Sequence, residues 1–255
     1  MRVVQIVFSP TGGTQRTADA VTEVFGVPAS RIDLTQHEGT NEPIKLTEED
    51  LAIIAFPSYG GRVPPPAAQR FSHLEGRHAA CILICVYGNR AYEDTLAEMG
   101  DLARHAGFRI VAAISAVAEH SIAHQYAAGR PDHQDIETLQ GYARQIIEKL
   151  NSTDGRFISP TLPGNHPYKK TVIPKLVPKA THSCTLCGSC ARKCPAQAIS
   201  HSNPMETDKR KCISCMRCIT QCPMSARKLN SALILSASVF LKSACSIRKE
   251  AELFL

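Results

Sequence analysis

The sequence has no tryptophan, few aromatic residues and no long hydrophobic segment. The longest apolar run towards the C-terminus covers residues 232–241, much shorter than the ~20 residues that cross a bilayer, so we expect no membrane span. The apolar run at the N-terminus ends at Phe8 in a Ser-Pro-Thr-Gly-Gly turn, which does not resemble a secretory cleavage site. These absences predict a cytoplasmic protein, whose cysteines stay reduced.

Two common nucleotide-binding motifs are also missing. The sequence contains neither the Gly-Lys-Ser or Gly-Lys-Thr ending of a P-loop nor a Gly-x-Gly-x-x-Gly pattern. ATP and dinucleotides are therefore disfavoured as ligands.

Short β-branched runs alternate with amphipathic segments over the first 150 residues. Four runs are typical of buried parallel strands, and a weaker, edge-like one covers Arg31–Leu34. The buried runs are Val3–Phe8, Leu51–Phe56, Cys81–Tyr87 and Phe108–Val117, and the helical segments are Thr14–Phe25, Pro65–Leu74, Ala91–His105 and Pro131–Leu150. This alternation predicts an α/β fold with a doubly wound, five-stranded parallel sheet in the flavodoxin-like order 2-1-3-4-5.

The rest of the chain divides into three parts after this first domain, residues 1–150. Residues 151–180 contain five prolines that interrupt any periodic pattern, which predicts an extended linker or wrapping arm. Residues 181–228 carry a repeated cysteine pattern, and residues 229–255 predict one closing helix, interrupted or continuous.

The cysteine pattern C-x2-C-x2-C-x3-C-P occurs twice, beginning at Cys184 and at Cys212. Two-residue gaps let one loop supply three thiolates to a 4Fe–4S cube, and in two-cluster ferredoxins the fourth comes from the other repeat. The sequence therefore predicts two 4Fe–4S clusters, ligated crosswise in a small α+β ferredoxin-like domain. One cluster is assigned to Cys184, Cys187, Cys190 and Cys222, and the other to Cys212, Cys215, Cys218 and Cys194. Structural zinc is the alternative, but zinc ribbons use separated C-x2-C pairs and not three cysteines in series before a fourth.

The other three cysteines are not expected to bind metal. Cys81 and Cys85 lie four residues apart in an apolar strand, so both point to the same face, where a small buried hydrophobic role is favoured. Cys245 lies in the closing helix and receives the same interpretation.

The net charge of +6 is unevenly distributed. Residues 1–150 have 13 basic and 18 acidic side chains, a balance of −5, whereas residues 151–255 have 16 basic and 5 acidic ones, a balance of +11. A basic half often binds nucleic acid. Two clusters with their thiolates would add a charge of about −4, so residues 151–255 would keep a net charge of roughly +7 beside an acidic first half. We therefore expect no nucleic acid partner.

Three loops follow predicted strands, at the edge where open α/β sheets bind ligands. The first, Ser9–Thr14, combines hydroxyls and glycines at the start of a helix, a pattern that closes backbone N–H groups round a phosphate. A plain Gly-Gly turn that caps the helix is the alternative for this loop taken alone. The other two, 56–64 and 87–92, bring tyrosines that can stack and glycines that let the main chain approach a ring. Together the loops predict a mononucleotide flavin site.

Over nearly its whole length the sequence resembles flavodoxins fused to bacterial-type two-cluster ferredoxins, a family found chiefly in anaerobes. The resemblance is carried by Ser9–Thr14, Tyr59–Pro64, Val86–Tyr92, Gly164–Lys169 and both cysteine repeats. It implies that the cofactor is FMN. By this resemblance the phosphate is held by Ser9, Thr11, Gly12, Gly13 and Thr14, and the isoalloxazine is lined by Tyr59, Gly60, Gly61, Asn89 and Tyr92. Simple flavodoxins often place a tryptophan in a flanking loop, which this chain lacks.

Two functions fit these sites. The first is an electron relay between two 4Fe–4S clusters and FMN, with a redox protein or a small molecule as donor or acceptor. The second is a ferredoxin-fed flavin reductase that acts on a small-molecule acceptor such as a quinone. The loop 119–130 is long enough to cover a flavin, and its His120 is the one candidate proton donor. An ordinary loop or core role for His120 is favoured, so no catalytic residue is assigned.

Overall fold

Aliphatic runs buried on both faces build the central sheet, as seen in a computed structural model that describes residues 1–36, 44–152, 157–170 and 176–255. The strands are β1 (Arg2–Val7), β2 (Ala29–Asp33), β3 (Ile44–Lys45), β4 (Asp50–Pro57), β5 (Leu74–Glu75), β6 (Ala80–Tyr87), β7 (Arg109–Val117), β8 (Lys179–Ala180), β9 (Arg227–Lys228) and β10 (Glu252–Phe254). The helices are α1 (Gly13–Glu23), α2 (Pro65–Phe71), α3 (Thr95–His105), α4 (His133–Ser152), α5 (Ser189–Arg192), α6 (Arg217–Thr220) and α7 (Ser231–Cys245).

The main sheet has six strands in the order β10-β7-β6-β4-β1-β2. Its five parallel strands follow the predicted order 2-1-3-4-5, so the flavodoxin-like fold is confirmed. Residues of α2 and α3 pack on one face and residues of α1 and α4 on the other, which gives two separate apolar cores. This layering brings the loops after β1, β4 and β6 to the carboxyl edge of the sheet.

Residues 229–255 do not form one closing helix as predicted, because the segment also contains the sixth strand, β10. The helix covers only α7, which Asn230 caps by accepting the Ala232 N–H at 2.9 Å. The chain then returns to the first domain, and β10 pairs antiparallel with β7. Leu253 and Phe254 alternate between the two apolar cores, which fixes the register of this short strand.

Two helices begin later than predicted, for local reasons. In front of α3, Asn89 and Glu93 have φ values of +63° and +45°, which a right-handed helix cannot include. In front of α4, Asp132 and Asp135 each accept the other's backbone N–H, at 3.0 and 2.9 Å. This reciprocal cap starts the helix at His133 rather than at Pro131.

Residues 162–169 of the linker lie against α3 and the residue that precedes it. Asp94 accepts hydrogen bonds from the backbone N–H groups of Asn165 and Lys169, at 2.9 and 2.7 Å. Tyr168 donates to Asp101, and the Arg62 guanidinium lies 4.5 Å from the centre of its ring. Residues 153–156 and 171–175 of the predicted linker lie outside the described residues.

Candidate cofactor sites

The loop between β1 and α1 presents unpaired backbone N–H groups at the start of a helix. No described residue accepts a hydrogen bond from the N–H groups of residues 11–14. Ser9 fixes the loop, because its Oγ accepts the Gln15 N–H at 3.0 Å and its own N–H donates to Thr35 Oγ1 at 2.7 Å. Gly12 has a φ of +95°, and nothing lies within 4 Å of the place where a Cβ would stand. Such a loop fits a phosphate group.

Tyr59, Gly60 and Gly61, which were predicted to line the flavin ring, belong to a tight turn after β4. Tyr59 and Arg62 exchange backbone hydrogen bonds of 2.9 and 3.3 Å. Gly60 and Gly61 have φ values of +61° and +82°, as a type I′ turn requires. A Cβ on Gly61 would also lie 2.0 Å from Glu93 Oε2. Conformation and space both demand glycine here, because the loop after β6 approaches so closely.

Hydrogen bonds join this turn to the next loop along the sheet edge. The Asp94 N–H donates to Gly61 O at 3.1 Å. The Arg62 guanidinium donates to both carboxylate oxygens of Glu98, at 2.7 and 2.9 Å. The Val63 N–H donates to the same carboxylate at 2.8 Å. Sequence reasoning did not find Glu98, which fixes the turn from a helix 35 residues away.

The Asn89 side chain is committed to the segment between α7 and β10. It is 2% exposed, its Nδ2 donates to the carbonyls of Cys245 and Ile247, both at 2.8 Å, and its Oδ1 accepts the Lys249 N–H at 3.1 Å. That Asn89 lines the isoalloxazine stays a prediction, but its side chain is not free to bind the ring because its hydrogen-bonding groups are already used. Only its backbone remains available to a flavin.

Tyr92 lies beside an open cleft between the loop after β6 and β10. Its Oη donates to Glu252 Oε2 at 2.7 Å, and its ring packs edge-on against Tyr87, with 5.3 Å between centroids. Burial and this carboxylate raise the pKa of Tyr92. The cleft has a volume of about 630 Å³, and Arg90 and Glu250 also line it. No local pattern in the sequence indicated this contact with Glu252.

His120 is built into the loop after β7. Its Nδ1 accepts the N–H groups of Ile122 and Ala123, at 3.2 and 3.1 Å. Its ring packs so closely on Gly88 that a Cβ there would lie 2.6 Å from Cδ2. Burial, with smaller contributions from neighbouring cationic groups, lowers the pKa of His120 to about 4. At neutral pH the ring is therefore uncharged, with its proton on Nε2.

The eight cysteines of the repeats surround two cavities. One cavity is lined by Cys184, Cys187, Cys190 and Cys222, and the other by Cys194, Cys212, Cys215 and Cys218. These groupings match the two predicted ligand sets, although cluster ligation itself stays a prediction. Among the described residues, no three metal-binding side chains lie close enough to hold a single ion. Four sulfurs spread round a cavity suit a cluster better than one tetrahedral zinc ion.

The backbone repeats along with the sequence. Positive φ values occur at three matched pairs of positions: Leu186 and Ser214, Gly188 and Met216, and Gln197 and Ser225. The last cysteine of each repeat also accepts an N–H···S hydrogen bond: Ala198 donates to Cys194 at 3.3 Å and Ala226 to Cys222 at 3.2 Å. Donors to sulfur offset the charge of a thiolate cluster and tune its potential. The two cysteine loops are therefore built alike.

The cavity that contains Cys215 adjoins the first domain. Arg217, at the start of α6, donates to Pro10 O in the phosphate loop at 3.2 Å. Ile213 packs against the apolar core on the α2–α3 face. Burial, and then the neighbouring Cys215, raise the pKa of Tyr59 well above its ordinary value. The segment that lines this cavity is thus hydrogen-bonded to the first of the predicted flavin loops, and Cys215 lies near the turn that contains Tyr59.

The three remaining cysteines are buried, as predicted. Cys81 and Cys85 lie in the core on the same face of β6, and Cys245 lies in a small cluster under α7. Burial raises the pKa of each thiol. A buried, protonated thiol acts as a small hydrophobic group, which confirms the interpretation.

Residues 183–227 match the protein family Fer4_9, described as a 4Fe-4S dicluster domain. A search of curated proteins found no match. Among solved structures, the rubredoxin oxygen:oxidoreductase of the anaerobe Desulfovibrio gigas is 16% identical, with 59% of this chain and 36% of that chain covered and a TM-score of 0.41. A flavodoxin from Streptococcus pneumonia TIGR4 is 20% identical, with 58% and 99% covered and a TM-score of 0.42. A flavodoxin from the Archaea is 13% identical, with 59% and 99% covered and a TM-score of 0.43.

The match of residues 183–227 includes both cysteine repeats, and the fold of the first domain is established by its own strand order. The chain therefore joins a flavodoxin-like α/β fold to a C-terminal ferredoxin-type 4Fe–4S domain.

Proposed function

We propose that the protein transfers electrons between two 4Fe–4S clusters and FMN. The observation that carries this proposal is the docking of the Cys215 segment on the first domain, where Ile213 packs on the apolar core and Arg217 donates to Pro10 O of the phosphate loop. Electron transfer requires short separations between redox groups, and the contacts of Ile213 and Arg217 with the first domain support such a separation.

The chain's own residues would hold each group in a fixed place. The eight cysteines bind the clusters, residues 9–14 bind the FMN phosphate, and the glycine turn after β4 lets the main chain approach the flavin. When bound, FMN supplies one- and two-electron chemistry, and a 4Fe–4S cluster supplies one-electron chemistry. Ile213, which packs on the apolar core, and the half-buried Tyr59 would limit the access of water to the contact between the domains.

The two cavities differ in their exposure, which suggests an order of transfer. Cys215 is buried at the domain contact, whereas Cys187 of the other set is exposed to solvent. The set with Cys187 is therefore the entrance or exit for an external electron carrier, and the set with Cys215 is the step next to the flavin.

Anaerobic purification followed by stopped-flow reduction tests the proposal. We expect FMN, iron and sulfide in the purified protein, and cluster absorbance that bleaches together with flavin absorbance when a low-potential donor is added. Zinc in place of iron after anaerobic reconstitution would contradict the cluster assignment. Clusters and FMN that reduce independently of each other would contradict the relay.

The cleft beside Tyr92 favours a second function, the flavin reductase. Its volume of about 630 Å³ can admit a small acceptor such as a quinone. In its lining the Tyr92 hydroxyl donates to the Glu252 carboxylate, but burial and this carboxylate raise the pKa of Tyr92, which disfavours its anion as a nucleophile. His120 is an uncharged acceptor for its own loop. We expect His120→Ala to leave flavin–cluster transfer and acceptor turnover within a few-fold of wild type. Loss of turnover alone would make His120 catalytic and favour the reductase.

A further inference from the structure

The outer side of α7 exposes large apolar side chains to solvent. Phe240 is 81% exposed, Val239 67% and Leu235 66%, and Ile247 just after the helix is 76% exposed. The inner side makes only a small apolar cluster with the loop after β7. Soluble surfaces rarely concentrate apolar side chains in this way unless they meet something.

Basic side chains predominate in the sequence on both sides of this helix. Between Asp208 and Glu250 the sequence has nine Lys and Arg residues and no Asp or Glu. Lys228 and Lys242, near the two ends of α7, are exposed and have no acidic partner among the described residues. The nearby Asp132 is already paired with Arg248, at 2.7 Å. The apolar side therefore stands in a positive field with little local compensation.

We propose that α7 docks this protein on the surface of an anionic lipid bilayer. An apolar helical side flanked by lysines is what an interfacial helix needs, because its apolar groups enter the acyl boundary while lysines meet anionic headgroups. Within the described residues no helix is long and apolar enough to cross a bilayer, so α7 lies in the surface. A second copy of the chain is a poorer occupant, because it would bring the same uncompensated lysines to the contact.

Vesicle co-sedimentation of the full chain, purified anaerobically, tests this docking. The probes are vesicles of phosphatidylcholine alone and of phosphatidylcholine mixed with phosphatidylglycerol. We expect the protein to bind the mixed vesicles at least about tenfold more tightly, and we expect this binding to weaken as salt rises. The double variant Lys228→Gln/Lys242→Gln should lose most of this preference.

The apolar contribution is tested with Val239→Ser/Phe240→Ser, whose sites are exposed and so should not disturb folding. This variant should bind mixed vesicles at least about tenfold more weakly, because burial of a large apolar side chain stabilises the bound state. Ile158→Ser is the matched control, because Ile158 is 88% exposed in the linker, away from α7, and its change should have no effect. Circular dichroism and iron content should be unchanged in all variants.

Three outcomes overturn the proposal. Equal binding to both vesicle types would show that anionic lipid is not recognised. Unchanged binding of Val239→Ser/Phe240→Ser would show that α7 is not the docking surface. Light scattering without lipid identifies the other occupant: a wild-type dimer that Val239→Ser/Phe240→Ser dissociates, combined with no vesicle binding, would assign α7 to a second copy.

Discussion

At the scale of single residues, each cavity draws its cysteines from both repeats. Cys194 belongs to the first repeat but lines the cavity of Cys212, Cys215 and Cys218. Cys222 belongs to the second repeat but lines the cavity of the first three cysteines of the first repeat. If each set binds a cluster as proposed, its fourth sulfur would tie the two loops to each other. Loss of one such cysteine should damage the distant loop more than its own.

We predict that Cys194→Ser impairs the cluster held mainly by Cys212, Cys215 and Cys218, because its sulfur lies in that cavity. Iron analysis and electron paramagnetic resonance of the reduced protein check this. Cys81→Ala is the control, because that thiol is buried in the other domain and should leave both clusters intact. Loss of the cluster with Cys184, with the other intact, would reverse the assignment.

The phosphate loop gives a second residue-level prediction. Thr11 is exposed at the open face of the loop, so its side chain can change without disturbing the core. Thr11→Asp should weaken FMN binding by at least about tenfold, because a carboxylate would face a phosphate dianion. Thr11→Asn is the neutral control of similar size. Riboflavin, which lacks the phosphate, should bind the wild type much more weakly than FMN does, and equal affinities would contradict a phosphate role for this loop.

His120 gives a prediction about pH. Its pKa of about 4 lies below the ordinary value of 6.5, so between these values the unfolded chain binds more protons than the folded one. Its contribution to stability, at most about 3 kcal/mol, is complete above about pH 6.5 and is lost as pH falls towards 4. His120→Asn keeps an acceptor but cannot titrate. The thermal midpoint of the wild type should fall more between pH 7 and 5 than that of the variant, and parallel falls would show that His120 is not the cause.

At the scale of elements, one short segment between α7 and β10 holds the loop after β6 in place. Asn89 binds it through three hydrogen bonds, and Lys249 O accepts from the Arg130 guanidinium at 2.7 Å. Arg130 is itself buried against Asp135. The loop that was predicted to flank the flavin is therefore positioned by residues some 160 positions later in the chain.

We predict that Asn89→Ala destabilises the protein by about 2 kcal/mol or more, because it leaves buried backbone groups of this segment unpaired. The segment should also become accessible to carboxypeptidase, which detects its release directly. Asn165→Ala is the matched control, because its side chain makes one hydrogen bond, to Asp94 at 3.0 Å, and should cost less. Equal stability of the two variants would mean that β10 holds the segment without Asn89.

The sequence predicted those parts of the structure that have a local pattern. Buried strands show continuous aliphatic runs, and thiolate loops show fixed cysteine spacings, so both could be read directly. Glu98, Glu252 and the partners of Asn89 could not, because their contacts join residues that are far apart in the chain. The strand β10 has only three residues, too few for a periodic signal.

At the scale of the whole molecule, the cluster domain lies between two parts of the flavodoxin-like sheet in chain order. The sheet begins at β1 and receives β10 after the cysteine repeats. Among the described residues no ion pair joins 181–228 to 1–152; the contacts instead include arginines on backbone carbonyls, such as Arg70 on Pro195. Within the described residues, the attraction between an acidic and a basic half is thus not expressed as salt bridges.

We predict that electron transfer between the clusters and FMN in the intact chain is insensitive to salt. Screening weakens exposed charges beyond ~8 Å at physiological ionic strength, but the domains are held by chain continuity and buried contacts such as that of Ile213. Stopped-flow traces at low and high potassium chloride check this. Slower transfer with rising salt would mean that charge attraction holds the redox groups together.

The position of β10 in the chain has a consequence for biosynthesis. A ribosome releases the cysteine repeats before it releases residues 252–254, so the edge of β7 can be covered only after the whole cysteine-repeat segment has been made. A nascent chain whose cluster domain fails to assemble would misplace α7, and with it the strand that closes the sheet. Completion of the flavin domain would then report that the iron–sulfur domain has matured, and chains without clusters would offer an open strand edge to chaperones and proteases.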